Sequence, residues 1–82
     1  MNEIIKKAYE IMEGPYKIDL PEVEIGEIYK LGDIWDGNGE VPEGSYSYQL
    51  NDMDWINYLF DIIEEKESPL DTVIKITNIE LL

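Results

Sequence analysis

The run "DTVIKITNIELL", residues 71–82, constrains the fold more than any other segment. Six of its twelve positions are β-branched (Thr72, Val73, Ile74, Ile76, Thr77, Ile79), and such side chains suit a pleated strand better than a helix. A lone strand leaves its backbone donors and acceptors unpaired, so this one must lie in a sheet. The expectation is a strand over residues 72–81 inside an antiparallel sheet. The other end of the chain reads differently. Over residues 2–13, Ile4, Ile5, Ala8, Ile11 and Met12 recur at helical spacing on one stripe, Asn2 stands where an N-cap belongs, and Gly14-Pro15 supplies the stop. One helix at about 2–13 packed on a small antiparallel, meander-like sheet of three to four strands places the chain in the α+β class, as one domain over residues 1–82.

Other strands are sought between these ends. "SYSYQL", residues 45–50, alternates Ser45, Ser47 and Gln49 with Tyr46, Tyr48 and Leu50, the period of a half-buried strand. "EIYKLGDIW", residues 27–35, carries β-formers interrupted at Gly32, where a bulge would fit. Pro21 and Gly26 break residues 16–26, leaving an extended approach or an edge strand around Val23 and Ile25. Residues 55–64, "WINYLFDIIE", fit two patterns. As a helix they show a polar stripe of Asn57, Asp61 and Glu64; as a strand, Ile56, Tyr58, Phe60 and Ile62 share a face. The residue types favour the strand, joined as a hairpin to 72–81 through "EKESPL".

Between the strands at 27–35 and 45–50 lies "DGNGEVPEG", residues 36–44, with Asp33 just before it. These oxygen donors resemble a calcium loop, but the spacing fails. An EF-hand needs Gly at its sixth position and Glu at its twelfth; counted from Asp36 those positions are Val41 and Ser47. Gly37, Gly39 and Gly44 with Asn38 and Pro42 make the segment a turn, and no metal or cofactor is expected. Catalysis is not expected either. The chain has no His, Cys or Arg, so the commonest base, the thiol nucleophile and the planar anion clamp are missing. A protein of this length buries only about 60–65% of its unfolded surface, which leaves little room for a substrate cleft.

Charge is the most unusual property. Nineteen acids face six lysines, giving −13. Residues 22–43 and 52–71 each carry a net −6, while residues 44–51 are uncharged and residues 72–82 balance. Such a field repels nucleic acid and anionic membranes and attracts basic surfaces. No apolar run approaches the roughly 18 residues of a membrane span, and the N-terminal residues lack the apolar stretch of a signal peptide, so a cytoplasmic protein is expected. Tyr and Trp among carboxylates suit a protein-binding surface, where aromatics anchor and acids steer. Folding residues 27–50 back as a hairpin would gather Glu27, Asp33, Trp35, Asp36, Glu40, Glu43, Tyr46, Tyr48, Asp52 and Asp54 into one partner-binding patch. The partner is then a basic protein, of the kind that binds nucleic acid. In composition the chain is similar to small phage-encoded inhibitors of host defences and to immunity proteins that neutralise nucleases, with no shared motif. Another class of function fits as well: a structural or assembly protein that self-associates through a sheet edge.

Overall fold

The computed structural model describes residues 2–82. It contains one helix, α1 (Glu3–Ile11), and four strands, β1 (Ile28–Lys30), β2 (Ser45–Gln49), β3 (Trp55–Glu64) and β4 (Val73–Leu81), with short 3₁₀ turns at Gly14–Tyr16, Leu31–Asp33 and Pro69–Asp71. The sheet is antiparallel throughout, in the order β1-β4-β3-β2. The α+β class is therefore observed, residues 55–64 are strand, and the C-terminal strand lies inside the sheet.

Helix α1 begins where its sequence dictates. The Asn2 side chain accepts from the N–H groups of Ile4 at 2.7 Å and Ile5 at 3.3 Å, satisfying two otherwise unpaired donors. Ile5, Ala8 and Met12, on one stripe, are buried. The helix stops two residues before Glu13 because Met12 is already extended, and the Gly14-Pro15 pair folds into a 3₁₀ turn rather than a further α turn.

One face of the sheet makes the core. Ile56, Tyr58 and Phe60 of β3 are buried, flanked by Tyr48 and Tyr46 on β2 and by Leu81, Ile79 and Ile76 on β4. In β4 the register steps by one residue between the Asn78 and Ile76 pairings. This bulge changes the phase of the strand, so Ile74 and Ile76 before it and Ile79 and Leu81 after it face the same side. Without the extra residue, half of these side chains would point to water. Tyr58 is fully buried, and its hydroxyl donates to the Pro21 carbonyl at 2.9 Å. The opposite face, with Ser45, Ser47, Gln49, Asn57, Leu59, Asp61, Lys75, Asn78 and Glu80, contains no buried residue.

Two expected elements differ. No strand forms around Val23 and Ile25: Leu20 and Val23 reach the core singly and Ile25 is exposed. Pairing with β4 starts only where Gly26 N–H donates to Ile76 and Ile76 N–H to Glu27. The strand expected over 27–35 is cut to Ile28–Lys30. Gly32 is not a bulge but the middle of the following 3₁₀ turn. A Cβ there would stand 3.0 Å from the Leu70 carbonyl oxygen, so glycine permits the close approach of this turn to Pro69–Asp71.

Candidate binding surface

The topology decides where the acids go. Strands β1 and β2 occupy opposite edges of the sheet with β4 and β3 between them, so residues 27–50 do not form a hairpin. The segment 31–44 instead runs across one end of the sheet, from the end of β1 to the start of β2. Its course is fixed by Leu31 N–H donating to the Thr72 carbonyl, by the packing of Gly32 and Gly37 near Leu70, and by Phe60 N–H donating to Gly44. Leu31, Ile34, Trp35 and Pro42 are its buried anchors. Gly37 and Gly39 adopt φ of 90° and 78°, in the region that side chains disfavour, and this lets the segment turn twice in four residues.

The ten residues expected to share a patch are therefore divided. Asp33, Asp36, Glu40 and Glu43 lie along the crossing segment, at what we term the loop end. Asp52 and Asp54 lie in the β2–β3 turn, at the opposite end with the C-terminus of α1, here termed the helix end. Glu27 precedes β1 on the outer edge, apart from both. Trp35 is 5% exposed and its indole N–H donates to the Asn38 carbonyl at 2.9 Å, so it anchors the loop and offers no surface to a partner. Tyr46 and Tyr48 are half-buried on the inner face of β2, with ring centroids 5.2 Å apart edge to face. The Tyr48 hydroxyl donates to the Ile34 carbonyl, tying β2 to the loop. Burial, with smaller contributions from Tyr46 and Asp36, pushes the Tyr48 phenol up from its ordinary value of 10.0 to about 12.

What the crossing segment does meet is the β3–β4 turn. Residues missing from the expected patch, Glu64, Glu65, Glu67 and Asp71, stand beside it at the loop end. Together the loop end holds eight exposed acids (Asp33, Asp36, Glu40, Glu43, Glu64, Glu65, Glu67, Asp71) against Lys30 and Lys66, net −6. Both lysines are already engaged, Lys30 with Asp71 at 3.9 Å and Lys66 with Glu64 at 3.1 Å. A shallow cleft of about 210 Å³ opens among these acids, floored by Leu31, Val41, Ile62 and Pro69 and rimmed by Glu65 and Lys66. The count of acids in residues 52–71 signalled a second negative block, but only strand order could reveal which of its members join the first.

At the helix end the acids are used differently. Asp54 accepts from the Asn51 amide at 2.9 Å, and Asp52 accepts from the Tyr16 hydroxyl at 2.7 Å. That bond to Asp52 raises the Tyr16 phenol above its usual value. Among the described residues no three carboxylates are grouped to hold a metal ion. Asp36 is occupied in accepting Asn38 N–H at 2.9 Å, and Asp33 in accepting Lys30 N–H at 3.0 Å. Among the described residues no helix is long and apolar enough to cross a membrane. No protein-family model matches the chain, and comparison with curated proteins and with solved structures finds no match.

Proposed function

We propose that this is a non-enzymatic acidic binding protein that occupies a basic surface on a partner protein, one that otherwise holds nucleic acid. The observation that supports it is the convergence of the two acidic segments at the loop end around an apolar cleft. Averaged over the whole surface of 5228 Å², a charge of −13 amounts to only about one per 400 Å². The loop end concentrates nearly half of that charge on a fraction of the area. Acids steer a basic partner over a Debye length of roughly 8 Å at physiological salt. A mostly apolar cleft beside these acids, edged by Glu65 and Lys66, gives the encounter a place to bury a side chain, which charge alone does not provide. Its sharpest form is a phage or prophage inhibitor that shields a host-defence protein from nucleic acid, in keeping with the compositional similarity noted above.

Affinity capture on the immobilised protein from host lysate, at low and high salt, followed by a nucleic-acid competition assay on whatever is captured, tests this. The expected result is a basic protein released by salt, whose nucleic-acid binding is blocked stoichiometrically. A captured protein that binds this chain and nucleic acid together, or binding indifferent to salt, would defeat the proposal.

A further inference from the structure

The two edges of the sheet are protected unequally. Strand β1 is three residues long, ends in Lys30 and passes at once into a 3₁₀ turn, so it offers little to another chain. Strand β2 runs for five residues, Ser45 to Gln49, in unbroken register with β3 and without lysine or proline. Lysines, prolines, bulges and short length are the devices by which proteins blunt an exposed edge, and β2 uses none of them.

Its outward-facing groups can be named. Phe60 N–H donates to the Gly44 carbonyl and Leu50 N–H to the Asp54 carbonyl, bracketing the ladder in which Tyr46 faces Tyr58 and Tyr48 faces Ile56. Residues exchanging bonds alternate along an antiparallel pair. Gly44, Tyr46, Tyr48 and Leu50 therefore turn their backbone groups toward β3, and Ser45, Ser47 and Gln49 turn theirs outward. Among the described residues no turn or loop backbone bonds to those three.

Charge selects the occupant. Glu43 stands just before the strand, Asp52 and Asp54 just after it, and no lysine occurs between Lys30 and Lys66. A second copy of this chain pairing antiparallel here would bring Glu43 beside the other copy's Asp52 and Glu40 opposite its Asp54, whereas a basic strand would neutralise these acids. Tyr46 and Tyr48, half-buried at this edge, leave ring surface for the alternate side chains of an added strand. We propose that β2 is the docking edge for an extended, lysine- or arginine-bearing segment of the partner, which joins the sheet as a fifth strand. This rests on the acidic-binding reading and adds the mode of recognition: backbone pairing along β2, with charge at both of its ends.

A labelled peptide, acetyl-Lys-Lys-Thr-Val-Thr-Val-Thr-Lys-Lys-amide, serves as probe, measured by fluorescence anisotropy against the intact protein. Its partner is the same peptide N-methylated at the five central amides, equal in charge but unable to donate. The parent should bind in a salt-dependent manner, and the N-methylated peptide should bind at least about tenfold more weakly. Ser47→Pro removes an outward N–H without touching the ladder to β3 and should lower parent binding by a similar factor. Ser47→Ala, which removes only the hydroxyl bonded to Asn57 at 2.9 Å, should stay within about twofold. Equal binding of the two peptides would overturn strand addition while leaving the electrostatic reading intact, as would no binding of the parent at low salt. Indifference to salt would instead sink the electrostatic reading. Concentration-dependent dimers in light scattering, abolished by Ser47→Pro, would assign the edge to a second copy and overturn the basic occupant. Should Ser47→Pro fail to fold, the comparison of the two peptides decides alone.

Discussion

The loop end and the helix end both present carboxylates, yet they use them in opposite ways. At the helix end the polar groups are spent within the chain. Asn51, only 8% exposed, donates to Ile11 and Asp54 and accepts from the N–H groups of Met53 and Asp54, and the Glu13 N–H donates to Leu50. This network fastens the end of α1 to the β2–β3 turn. At the loop end the main anchoring is apolar, through Leu31, Ile34, Trp35 and Pro42; Asp33 and Asp36 accept local backbone N–H groups, and the remaining acids lie outside the anchoring. Among the described residues Glu40, Glu43, Glu65 and Glu67 have no ion pair, while the two lysines nearby bind Glu64 and Asp71. Equal charge thus says little about role; what matters is whether each carboxylate has a partner inside the fold.

Substitutions can break this contrast. Trp35→Ala should be the most damaging, because deleting a buried indole costs about 3–5 kcal/mol and frees the crossing segment; thermal melting reads it, and a loss below about 1 kcal/mol would show that the loop is held elsewhere. Asn51→Ala should cost about 2–3 kcal/mol, since it leaves buried backbone groups unsatisfied, while the exposed Asp52→Asn should change stability by less than about 0.5 kcal/mol. Urea titration of the pair checks whether the helix end depends on Asn51.

Alkaline pH tests the tie between β2 and the loop. The Tyr48 phenol is raised in the folded state to about 12 from 10.0, so its protonated form is the one that folding favours. That contribution is fully present below pH 10, and is lost as pH rises toward 12. Tyr58, raised chiefly by burial, acts in the same direction. Stability followed by circular dichroism should therefore be level on the acid side of this window and fall through it, and Tyr48→Phe should soften the fall. The smallest effect belongs to Glu40, Glu43 and Glu65 changed together to Gln: stability should move by no more than about 0.5 kcal/mol, toward greater stability. A marked loss in the melting temperature would mean that these acids belong to the fold after all.

Local features were legible in the sequence, and non-local ones were not. Asn2 and the stripe from Ile4 to Met12 specify α1 within a turn or less, and the β-branched run specifies β4. Even the bulge left a trace: Ile74, Ile76, Ile79 and Leu81 keep alternation except for one extra residue, which a strict period-two reading passes over. Strand order leaves no comparable mark, because β1 is too short to announce its partner and the turn-forming residues 36–44 suit a hairpin as well as a crossing segment. Hence the acidic turn is legible from residue types, yet the hairpin expectation gives it Asp52 and Asp54 as neighbours where the fold supplies Glu65 and Glu67. Trp35 misled for a related reason, since an aromatic beside acids reads as surface until its burial is known.

The central claim is that the loop-end acids steer a partner while the acids on and beside α1 do not. Its most direct test is the association rate with the captured basic partner, measured by stopped flow across a salt series for two variants of equal charge change. Glu40, Glu43 and Glu65 changed to Gln should slow association severalfold and flatten its salt dependence. Glu3, Glu10 and Glu13 changed to Gln should have far less effect, because Glu3 and Glu10 share α1 with Lys6 and Lys7 and Glu13 follows just after it. Equal rates for the two variants at every salt concentration would contradict the account and leave the acidity of this chain as a matter of solubility.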